Sequence, residues 1–178
     1  MYDKILVTLD GSDLAGTALP EVARVAGPDT EVIVAEVIDS VGQILTRTSG
    51  GAGFALSEAG ETTIDAADVV IAHQRTGAEG YLEAARELLL SRGIAKVTTR
   101  VLEGTAGPMI VRLADEENVD VIVMATHGRS GVSRALLGSV SDHVVRHTER
   151  ASVLLVRPKE NSGASTKGDA VGASAGKK

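Results

Sequence analysis

The sequence predicts an α/β fold, a parallel sheet covered by helices on both faces. Three observations lead there. Five short apolar runs recur along the chain: KILVTL (4–9), EVIVAEVI (31–38), KVTTRVL (96–102), VDVIVMA (119–125) and ASVLLV (151–156). Four of them are nearly continuous and rich in Val and Ile, as strands buried on both faces must be. Helical patterns separate them, and strand–helix–strand repetition builds parallel sheets through right-handed crossovers.

Taken in order, the first run follows the N-terminus directly. The segment 13–26 then sets Leu14, Ala18, Val22 and Val25 on one helical face, with Ser12 or Asp13 as its cap. Pro20 inside that pattern predicts a kink or an early break. After the second run, residues 39–68 are long and rich in Gly, Ser and Thr, which predicts a mobile insertion, with the next helix starting near 66–72. The run DVVIAH (68–73) fits strand or helix on pattern alone. Residues 79–91 form an amphipathic helix with Leu82, Ala85, Leu88 and Leu89 on its stripe and Gly93 as its stop. The third strand alternates and suits an edge. Residues 108–117 form a helix with Pro in its first turn and Met109, Ile110 and Leu113 inward. The segment 137–147 forms another, with Val140, Val144 and Val145 inward. Residues 1–158 are therefore one domain, and residues 159–178, low in apolar content, are expected to be a disordered tail.

Composition narrows the chemistry. Aromatic residues make up 2% of 178 residues, so Val, Leu, Ile and Ala must fill the core. Cysteine is absent, which removes disulfides, thiolate catalysis and cysteine metal sites and fits a reducing compartment. No apolar run approaches the roughly 20 residues of a membrane span. The N-terminus has no basic, apolar or cleavage region of a signal peptide, so the expected location is cytoplasmic. Net charge is −6. The tail holds four lysines against Glu160 and Asp169, so residues 1–158 carry −8. An acidic body argues against general nucleic-acid binding, and any anion must be held by a local device.

Such a device is legible in MATHGRSGVSRALLGSV (124–140). In open α/β sheets ligands bind beyond the carboxyl ends of the strands, and this stretch leaves the fourth. Gly128 and Gly131 permit close backbone approach, while Gly138 and Ser139 stand at the next helix start, whose N–H groups suit an anion. Arg129 and Arg134 either add charge or face solvent. No Walker GxxxxGK[ST] pattern occurs.

The segments MATHGRSGVSRALLGSVSDHVVRH, ASVLLVRP and KILVTLDGS resemble the universal stress protein family over about residues 2–158. Its nucleotide-binding subgroup carries Gly, two residues, Gly, nine residues, then Gly with Ser or Thr. Here Gly128, the nine residues 129–137 and Gly138-Ser139 match, and Ala125 replaces the first Gly. The resemblance implies a flavodoxin-like, Rossmann-like three-layer sandwich of five parallel strands in order 3-2-1-4-5. It implies ATP across the carboxyl edge, with Mg²⁺ on its phosphates. Asp10 would bond the ribose, and the backbone of Val37 would read the adenine, lined by Thr8 and Leu9. Met124, Ala125, His127 and Gly128 would wall the sugar and first phosphates, with Arg129 beside them. Gly138, Ser139 and Val140 would donate to the phosphates. It implies a homodimer through the last strand (152–157), with a tetramer beyond it, and strand pairing there would cover an open apolar edge.

Simpler roles stand beside these. Asp10 would equally cap the first turn, with Gly11 making the bend. His127 suits loop-ordering hydrogen bonds better than catalysis. Ser141, Asp142 and His143 are consecutive on a helix, so they point about 100° apart and form no triad. His143 and His147 have metal-compatible spacing but no third ligand. No general base is apparent, so the expected function is a nucleotide-dependent stress-response or regulatory module with at most slow ATP hydrolysis. The alternative is a dimeric interaction protein of the same fold without nucleotide, which Ala125 favours slightly and Gly128, Gly138 and Ser139 disfavour. An adenylating or pyrophosphatase type is disfavoured because DGSDLAG lacks that loop's glycine pair.

Overall fold

The computed structural model describes residues 2–48, 61–126 and 138–157. Strands β1 (Tyr2–Leu9), β2 (Ala26–Ile38), β3 (Lys96–Glu103), β4 (Val121–Ala125) and β5 (Ser152–Val156) form one parallel sheet in the order β3-β2-β1-β4-β5. The helices are α1 (Asp13–Gly16), α2 (Leu19–Val25), α3 (Val41–Thr48), α4 (Glu61–Ser91), α5 (Ala106–Glu116) and α6 (Ser139–His147). Because strand side chains alternate, each central strand feeds two cores. Ile5, Val7 and Leu9 join Val32, Val34, Val121 and Val123 under α1, α2 and α4. Leu6, Ile33, Ala35, Ile122 and Met124 face α5 and α6 on the other side. This double burial explains the continuous apolar runs.

Several boundaries differ from expectation for identifiable reasons. The 13–26 helix breaks after Gly16, and Pro20 sits at the start of α2, where its missing N–H costs nothing. β2 begins five residues early, at Ala26, and its register with β1 shifts between Tyr2 and Lys4. Thr30 spans the irregularity, its hydroxyl donating to Tyr2 O at 2.7 Å and accepting from Gly27 N at 2.8 Å. The 39–68 stretch carries α3 and the beginning of α4, and DVVIAH is helical. Ile44 and Leu45 of α3 pack with Ala67, Ile71 and Ala78 of α4 and with Ile38, a small core that extends the helix N-terminally. Gly93, at φ +92°, ends α4, with Ile94 N bonding Leu89 O at 3.2 Å. In α6, Val144 is buried and Val140 packs against the core as expected, but Val145 is 42% exposed and Ser141 is buried instead. Among the described residues no helix is long and apolar enough to cross a membrane.

Candidate functional site

The strand order reverses at β1, whose neighbours are β2 and β4. At that carboxyl edge a cavity of about 220 Å³ opens between the strand ends, α5 and α6. Thr8, Leu9 and Asp10 enter from β1, and Val37 from β2. Met124 and Ala125 enter from β4, and Gly138, Ser139 and Val140 from the start of α6. The parallel registers bring these together: Thr8 pairs with Met124 and with Ala35. Nine of the twelve residues named from sequence thus share one cavity. His127, Gly128 and Arg129, with Gly131 and Arg134, lie outside the described residues.

The two ends of the cavity differ chemically. Ala35, Val37, Ile110 and Met124 give one region an apolar wall suited to a flat ring. At the other, α6 begins at Gly138, which has no side chain to cap the first turn. The Ser141 hydroxyl donates to Gly138 O at 3.1 Å, so it does not occupy the helix's leading N–H groups. Those donors and the aligned peptide dipoles suit an anion. Sequence reasoning missed Ala15, Ala35, Ala106, Ile110, Thr126 and Ser141 in this lining. Ala106 and Ile110 sit one turn apart at the start of α5, and Ser141 lies three residues after Gly138, so helix periodicity from each start carries the signal.

Asp10 does two things. Its Oδ1 accepts from Ser12 N at 3.1 Å and from the Ser12 hydroxyl at 2.6 Å. Ser12 in turn accepts from Ala15 N at 3.1 Å and is the α1 cap. Gly11, at φ +74°, makes the turn. The carboxylate therefore braces the loop while lining the cavity. Tyr81 of α4 donates to Ser12 O at 3.1 Å and pins the same loop from the opposite side. Burial, followed by the charges of Asp10, Glu36 and Asp13, pushes its phenol pKa up.

Glu36 precedes Val37 and points to the α4 face. Its Oε2 is buried without a partner. Burial first, and Asp10 second, raise its carboxyl pKa. The folded state therefore holds this proton more tightly than the unfolded chain. Stability falls as pH rises from the ordinary glutamate value through the raised one, and the penalty is fully present above that window. Glu36→Gln is expected to raise Tm at neutral pH and to change it little near pH 4. Equal gains at both pH values in thermal melts, or no gain at neutral pH, would refute the assignment.

The consecutive Ser141, Asp142 and His143 go three ways. Ser141 bonds Gly138, Asp142 Oδ2 accepts from Arg146 Nε at 2.8 Å, and His143 packs against α5. The His143 and His147 rings stack with centroids 4.0 Å apart, and His147 Nδ1 lies 2.8 Å from His143 O, a geometry unlike convergent metal ligands. Among the described residues no cluster of three or more His, Asp or Glu side chains is placed to hold a metal ion.

The family model described as universal stress protein family matches residues 1–157. A universal stress protein of Methanocaldococcus jannaschii is 29% identical over 90% of this chain and 85% of its own. A Staphylococcus haemolyticus protein bearing the same family name is 31% identical over 89% and 87%. Among solved structures, the protein MJ0577, whose biochemical function was assigned from its structure, superposes with a TM-score of 0.66 at 26% identity, covering 89% of this chain and 98% of that one. Two more distant structures share the fold. A universal stress protein in complex with cAMP has a TM-score of 0.60 at 22% identity, covering 88% of this chain and 97% of its own. An Arabidopsis thaliana family protein with AMP bound has 0.56 at 14%, covering 92% and 96%.

Proposed function

The chain belongs to the universal stress protein family, and from that premise we propose that it binds ATP at the carboxyl edge of its sheet and acts as a nucleotide-dependent stress-response or regulatory module. The adenine lies along Ala35, Val37, Ile110 and Met124, with its polar edge on the Val37 backbone. Asp10 accepts from the ribose. The first turn of α6, Gly138, Ser139 and Val140, donates to the phosphates, with His127, Gly128 and Arg129 completing that side and Mg²⁺ riding on the phosphates. One observation carries this reading: a single cavity joins an apolar wall, a strand-end carboxylate and an uncapped helix start, drawn from β1, β2, β4, α5 and α6. Proteins of this fold that hold cAMP or AMP are consistent with it. The 220 Å³ is enclosed by the described residues alone, and it is smaller than the roughly 300–1,000 Å³ of whole ligand pockets.

The chain also forms a homodimer through 152–157 in this proposal, and a tetramer beyond it. Among the described strands β5 pairs only with β4, leaving its other edge available for a second copy. Sedimentation at the mass of two chains or a multiple of it is expected, and a monomer at micromolar concentration would rule out that contact.

The decisive experiment is direct. Protein purified without added nucleotide is denatured and the supernatant assayed for ATP, ADP and AMP, and ATP is then titrated by calorimetry. Bound adenine nucleotide, or a Kd at or below about 100 µM, is expected. With none released and no binding at about 1 mM, the nucleotide reading fails and the dimeric interaction protein replaces it.

A further inference from the structure

We propose that Gly107 is a positioning residue that sets the spacing between α5 and α6, and through it the affinity for the phosphate chain. This rests on the nucleotide reading above. Gly107 is buried in the first turn of α5. A methyl carbon added there would lie 2.7 Å from both Cγ and Cδ2 of His143 and 2.9 Å from its Cβ. Real Cβ atoms do not approach that closely, so something must shift. The ring is poorly placed to yield, because it stacks on His147 at 4.0 Å. The His143 Cβ moves only with the α6 backbone. The strain of an added methyl therefore falls on the position of α6.

That position matters because both helices line the cavity. Ala106, beside Gly107, and Ile110 stand on the α5 side. Gly138, Ser139, Val140 and Ser141 stand on the α6 side. Ser139 is one helical turn before His143, so a displacement at the contact is carried to the phosphate-facing turn. The nucleoside wall is carried by the ends of β1, β2 and β4 apart from Ile110 of α5, and none of those strands shares this contact. Added bulk at position 107 is thus expected to act on the phosphates and spare the nucleoside.

The test compares ATP and adenosine binding by calorimetry in wild type, Gly107→Ala, and Gly107→Ala with His143→Gly. Gly107→Ala is expected to weaken ATP by about fivefold or more while adenosine changes less than about twofold. Removing the whole His143 side chain, Cβ included, in the double variant clears all three contacts and is expected to return ATP affinity to within about twofold of wild type. A merely structural role would lower both ligands together. Unchanged ATP affinity in Gly107→Ala overturns the proposal, as do equal losses for both ligands or no recovery in the double variant. If Gly107→Ala does not fold, the double variant must fold and bind ATP, and its failure overturns the steric account. A wild-type protein that binds no ATP instead overturns the nucleotide reading itself.

Discussion

Gly138→Val is expected to abolish nucleotide binding while leaving the fold in place. Gly138 is the N-cap of α6, with φ −58° and ψ 155°, values a valine adopts without strain. Among the described residues a Cβ there would meet only the Ser141 hydroxyl, at 3.6 Å, which is ordinary contact. The protein therefore accommodates the new side chain. The cavity does not, because Gly138 lines it beside the α6 donors and the isopropyl group occupies the space proposed for a phosphate. ATP affinity should fall at least tenfold, about 1.4 kcal/mol or more. Since Val is a weak helix cap, Tm should fall by no more than about 4 °C. Tight ATP binding by a well-folded Gly138→Val protein would remove the phosphates from this helix start.

The largest stability effect is expected far from that edge, at Leu82. Its side chain is 0% exposed and sits in the core shared by β1, β2, β4 and α4. Leu82→Ala removes buried methyl groups and leaves a cavity that rigid strand residues cannot refill. The cost should be about 2–5 kcal/mol, lowering Tm by about 4–20 °C in thermal melts. Val69, on the same helix, is 69% exposed, and Val69→Ala should change stability by less than about 0.5 kcal/mol. Similar losses at both positions would mean that α4 does not pack on the sheet through Leu82.

Much of this could be read from residue order. The apolar runs mark the strands: burial on both faces keeps those of β1, β4 and the middle of β2 continuous, while edge strand β3 alternates. The N-terminal half of α4 was also present in principle. Ala67, Ile71, Ala78, Leu82, Ala85 and Leu89 follow one helical stripe, all buried, across what looked like two separate segments. The glycine-rich composition before it masked that continuity. Boundaries were harder: the early start of β2 depends on Thr30 bridging to Tyr2, a partner 28 positions away.

At the site the same division holds. Loop chemistry singled out Gly138 and Ser139 and the family resemblance added Asp10, since strand ends and helix starts are local features with local signatures. The α5 wall was invisible, because Ala106 and Ile110 become lining residues only when the crossover places α5 beside α6. Nor does any sequence pattern reveal that Asp10 braces Ser12 while Tyr81, 69 residues on, holds the same loop. The raised Glu36 carboxyl and the Gly107–His143 contact likewise belong to the folded chain. The sequence by itself determined the parallel sheet, its five strands and the edge at which a ligand is to be sought, because periodicity and turn chemistry act over a few residues. The tertiary structure alone decided the walls, the burial of charge and the closeness of α5 to α6, because desolvation and steric contact arise between segments far apart along the chain.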